Sequence, residues 1–75
     1  MRVRIFLRQP LFTLPGAEHV PSNASILEGT LGEASPLGAT LDATSYLDER
    51  GRVIEGKPAR LIVPGTKIDH LQILE

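Results

Sequence analysis

The chain has no cysteine and no tryptophan, one methionine, and only three other aromatic residues among 75, two Phe and one Tyr. Without cysteine it can form neither a disulfide staple nor a thiolate metal site, and the redox state of its compartment leaves no mark on it. Eight Lys and Arg stand against nine Asp and Glu, a formal net charge of −1. Proteins that bind nucleic acid non-specifically carry a basic excess, because neutralising phosphates supplies most of their affinity; that excess is missing here. No apolar run approaches the ~20 residues a membrane span requires. The opening segment Met1 to Arg8 is too short and too alternating for a signal peptide, and a cytoplasmic location is the expectation.

Catalytic and ligand-holding patterns are missing as well. His19 and His70 lie far apart, and neither has a Cys, His or acidic partner at metal-ligand spacing. Ser22, Ser25, Ser35 and Ser45 lack an elbow motif, and Gly29, Gly32 and Gly38 do not form a phosphate loop. Asp48 and Glu49 are adjacent in a charged turn, where solvated carboxylates are common. Asp69 and His70 are neighbours in a strand and are expected to point to opposite faces. The expectation is a non-enzymatic protein with no cofactor and no metal.

What the chain does contain is short β-patterned segments separated by seven glycines and six prolines. Residues 2–8 alternate, with Val3, Ile5 and Leu7 on one face and Arg2, Arg4, Phe6 and Arg8 on the other. Proline has no ladder donor, so Pro10, Pro15 and Pro21 exclude a long central strand over residues 9–25. That stretch reads as a Pro-rich loop holding at most a short edge strand at Leu11–Leu14. Residues 26–31 form the next strand, and Gly29 within it marks a bend or a close backbone approach. A turn region over Gly32–Gly38 follows, then residues 39–47, where Asp42 to Leu47 could make a helical turn but Thr40, Thr44 and Tyr46 favour a strand, and a short strand at Val53-Ile54. Residues 60–74 close the chain as strand, Pro64-Gly65 break, strand, the local signal of a strand pair. Together these predict one all-β domain over residues 1–75, a small five- or six-stranded antiparallel barrel with no substantial helix.

Leu27-Glu28-Gly29-Thr30-Leu31 and Leu61-Ile62-Val63-Pro64-Gly65-Thr66-Lys67-Ile68 resemble the two signature segments of the Sm-like family, and more broadly of SH3-like small barrels. The resemblance covers residues 1–8 and 26–74, with Gln9 to Ser25 as an insertion, and small bacterial proteins of this barrel type are the relatives it implies. It implies a barrel whose last two strands pair with a neighbouring subunit, in a ring. The RNA-contacting Asp and Asn of that family are absent after Leu31, and Pro64 stands where its closing motif carries Arg. These departures weigh against RNA reading.

For so small a chain, which buries only about 60% of its unfolded surface, a core shared between subunits is a natural expectation. Strands apolar on both faces usually have both faces covered. The sequence thus points to a homo-oligomer or a protein partner, with Ile62, Val63, Ile68, Leu71, Ile73 and Leu74 as candidate interface and the loop before Ser25 as a second contact region. The alternative is a nucleic-acid-binding Sm-like or OB-like module using Arg2, Arg4, Phe6 and Arg8, with Arg60 and Lys67.

Overall fold

Six strands follow one another in a computed structural model, which describes residues 1–8, 20, 21 and 23–74. They are β1 (Arg2–Leu7), β2 (Ile26–Ser35), β3 (Gly38–Leu47), β4 (Val53–Ile54), β5 (Ala59–Pro64) and β6 (Ile68–Ile73). A three-residue 3-10 turn, Gly65–Lys67, is the only helical element among the described residues. The predicted edge strand at Leu11–Leu14, and His19, lie outside the described residues.

All pairings are antiparallel. β1 lies between β2 and β6, β3 lies beside β2, and β4 and β5 share the far side of β3. The product is a curled all-β sheet in the form of a half-barrel, as the alternating segments predicted. Three register shifts lie along these pairings, at Glu28/Gly29, at Leu31/Ala34 and at Phe6/Leu7. An extra residue on one strand increases the local right-handed twist, so the shifts supply the curl.

Period-two alternation places one row of each strand inside the curl. Val3, Ile5, Leu27, Leu41, Ala43, Tyr46, Leu61 and Val63 are at most 2% exposed, and among the described residues no polar or charged residue is buried with them. Fully burying side chains of this kind stabilises a fold by roughly 1.5–3 kcal/mol each, which is how a short chain offsets its ordering entropy. Gly29 faces the same interior across from Ala43, and a Cβ there would fall onto the Asp42 carbonyl. The close approach expected of it is what the backbone needs: β2 crosses β3 with no room for a side chain.

Two local expectations are corrected. The turn between β2 and β3 is only Pro36-Leu37, because β2 runs on to Ser35 through the shift at Leu31/Ala34. β5 and β6, though consecutive, do not pair with each other; β5 bonds to β3 and β6 to β1. The 3-10 turn carries the chain from one side of the curl to the other, so the Pro-Gly break joins two different parts of the sheet. The charged turn is built by Asp48, whose carboxylate accepts from the Arg50 and Arg52 amides at 2.9 Å. Gly51 completes it at φ 79°, a left-handed conformation that costs glycine nothing.

Candidate interaction surface

The six apolar residues predicted as an interface divide by strand parity. Val63 is fully buried in the chain's own core, so it has no surface to offer. It faces inward because it pairs with Ala39 on the concave side of the sheet. Ile68 and Leu71 are half-buried against that core. Ile62, Ile73 and Leu74 are exposed at 74%, 54% and 39%. Ile62 is on the convex face of β5, paired with Thr40, whereas Ile73 shares the concave row of Val3. The structure therefore splits the predicted patch in two rather than assembling it. Leu37, in the turn between β2 and β3, and Val53, in the short β4, are also exposed, at 88% and 75%; the sequence reading looked for no contact residues at either place.

The basic stripe is on the convex face, as alternation predicted, and two of its three arginines share one carboxylate. Glu28, directly opposite Arg4 on β2, accepts from Arg4 Nε at 2.6 Å and from Arg2 Nη2 at 3.1 Å. The Arg4 hydrogen bond, with the charges of both arginines behind it, holds the Glu28 carboxyl below its ordinary value. Arg60 donates to Asp42 at 2.9 Å across the β3–β5 pairing, and that bond raises the guanidinium's own value. Arg8 is exposed, and Lys67 is half-buried at the end of the 3-10 turn. Phe6 has one ring face stacked on His70, centroids 4.2 Å apart and 11° from parallel.

One expectation at β6 is overturned. His70 Nδ1 lies 2.9 Å from Asp69 Oδ2, so the two neighbours do meet. The register shift opposite Phe6 and Leu7 takes Asp69 out of the regular alternation. His70, Asp69, Arg8 and Ser25 line one shallow cleft at the end of β1. Ser25 Oγ there is buried without a hydrogen-bond partner, so it does not engage His70 as a nucleophile engages its base. Among the described residues, no group of three His, Asp or Glu is placed to hold a metal ion, and no helix is long and apolar enough to cross a membrane.

No family model, curated protein or solved structure matches this chain. The geometry of its own surface is therefore the ground for a functional reading.

Proposed function

We propose that this chain is a non-enzymatic, SH3-like or Sm-like small-barrel module that works in the cytoplasm by contact with protein, another copy of itself foremost. The observation that carries the reading is the open side of β6. Ile73 and Leu74 are exposed there, and among the described residues nothing pairs with the edge of β6 that faces away from β1. An exposed strand edge offers unpaired N–H and C=O groups to another chain, and apolar side chains beside it add area that gains from leaving water.

The nucleic-acid alternative has less in its favour. Of its six side chains, Arg2, Arg4 and Arg60 are held by carboxylates, and Phe6 has one face occupied. Sedimentation velocity over roughly a hundredfold range of concentration tests the proposal, since association follows mass action. A mass that rises above the 8.1 kDa of a single chain is the expected result. A clean monomer at the highest concentration, with no protein retained from a native lysate, refutes it.

A further inference from the structure

Among the described residues β6 forms one margin of the sheet and β5, beside the two-residue β4, forms the other, and hydrogen-bond parity shows that the β5 and β6 edges are not equivalent. In an antiparallel pair, alternate residues exchange bonds with the neighbour, and the residues between them turn their N–H and C=O the other way. Leu74 N donates to Arg2 O at 2.9 Å in the same register as Arg4↔Gln72 and Phe6↔His70. The backbone groups of Leu71 and Ile73 therefore turn away from β1, towards the open side. On the other margin, Gly65 N donates to Leu37 O at 2.9 Å in the register of Ala39↔Val63 and Leu41↔Leu61. The residues of β5 that turn outward are then Arg60, Ile62 and Pro64. Pro64 has no N–H to give, and Arg60 is charged and engaged by Asp42. Proline and charge at outward-facing positions are how natural sheets close an edge.

We infer that β6 pairs edge to edge with β6 of a second copy, antiparallel about a two-fold axis at Gln72, and that β5 takes no part. This rests on the contact reading above and goes further by naming the partner, the strand and the symmetry. A two-fold interface opposes the same patch to itself, so the strand must be self-complementary. About Gln72 it is. Leu71 of one copy stands opposite Ile73 of the other, both outward in parity and both apolar, and each such pair can exchange two backbone bonds. Gln72 faces Gln72, and His70 faces Leu74; no two charges oppose each other from His70 to Leu74. Centring the axis on Leu71 instead would set Asp69 opposite Ile73, which desolvates a carboxylate beside an apolar side chain. Pairing about Gln72 also continues the concave row of Val3, Leu71 and Ile73 into the second copy, covering Ile73 where it is now 54% exposed. A ring would need a head-to-tail contact between unlike edges, and among the described residues the long strand of the opposite margin is β5, whose outward edge Pro64 and Arg60 close.

Amide hydrogen exchange on the intact chain, read residue by residue by NMR at low and high concentration, tests this without any substitution. The Leu71 and Ile73 amides should slow by at least about tenfold as concentration rises, since exchange reports how often a bond opens. Gln72 and Leu74, bonded to β1, should be protected throughout, and Arg60 and Ile62 should stay fast. In sedimentation, the wild type should approach twice the single-chain mass. Ile73→Pro, which removes an outward N–H and no bond to β1, should return it to monomer with its circular dichroism unchanged. Ile62→Pro should leave the dimer intact. A larger closed assembly, with protection at Arg60 and Ile62 that Ile62→Pro abolishes, overturns the inference while leaving the contact reading standing. Fast exchange at Leu71 and Ile73 at every concentration, with a monomeric mass, overturns both.

Discussion

Replacing Gly29 by alanine is the sharpest test of how the sheet is put together. The added Cβ would meet the Asp42 carbonyl oxygen well inside van der Waals contact, with the Asp42 carbonyl carbon at 2.8 Å and Ala43 Cα at 2.9 Å. All three are backbone atoms of β3, so no flexible side chain can swing aside. Relief requires β2 and β3 to part locally. Overpacking of this kind costs about 1–3 kcal/mol. Parting the strands also strains the neighbouring ladder bonds of the Thr30↔Asp42 pair, at about 1 kcal/mol each. The sum is about 3–5 kcal/mol. A domain of this length is stable by roughly 4–11 kcal/mol, so the variant should be near the limit of folding. Urea denaturation gives the free energy directly, and thermal melting should show Tm lowered by at least about 12 °C. Gly32→Ala is the internal control: same strand and same substitution, but the nearest atom to its Cβ is Thr40 O at 3.4 Å, and the cost should stay below about 1 kcal/mol. If Gly29→Ala costs no more than Gly32→Ala, the close crossing of β2 over β3 is not what the sheet depends on.

The Glu28 carboxylate makes stability depend on pH. Its folded pKa is below its ordinary value of 4.5, so its contribution is complete above that value and disappears as pH falls through the folded one. Both arginines are more than a third exposed, so water screens the cluster and its worth is about 0.5–1 kcal/mol. Urea denaturation should show wild type more stable than Glu28→Gln by that amount at neutral pH, with the gap closing as pH falls below 4.5 and through the folded value; a constant gap at all pH would refute the assignment. A Cβ at Gly56 would be 2.6 Å from the buried Tyr46 ring, whose hydroxyl donates to the Lys57 carbonyl at 2.7 Å. Gly56→Ala should therefore destabilise by about 1–3 kcal/mol in chemical denaturation, and a neutral result would show that the loop after β4 moves freely off the ring.

The elements that could be read from the sequence are those fixed by local alternation. Val3, Ile5 and Leu7 announced β1 and its inward face, and the opposed directions of Ile62 and Val63 followed from parity alone. Alternation does not say which strand pairs with which, because that depends on contacts distant in sequence. Hence β5 and β6 looked like a hairpin and are not one. Register shifts are hidden for the same reason. A residue such as Asp69 leaves its face only because the partner strand has fewer residues opposite, and nothing near His70 signals it. The charge stripe was legible as three arginines, but the carboxylate that two of them share was not. Glu28 is 24 residues from Arg4 and only the β1–β2 register brings them together.

Pro64 shows how one residue carries two kinds of information. In the sequence it is a break, and it stands where the resembling family carries an RNA-reading arginine. In the sheet its ring occupies an outward position of β5, where an N–H would otherwise invite another strand. The closing segment 60–74 then has an unequal pair of edges: one whose outward residues are a charge, an exposed Ile62 and a proline, and one whose outward residues are Leu71 and Ile73. A chain with two open edges would add subunits head to tail, with nothing but geometry to stop it. With β6 as the one open edge, the inferred pairing is with a like edge, and such an assembly would end at two. Under that inference, the same proline that weighs against RNA reading would also limit how far the protein can assemble.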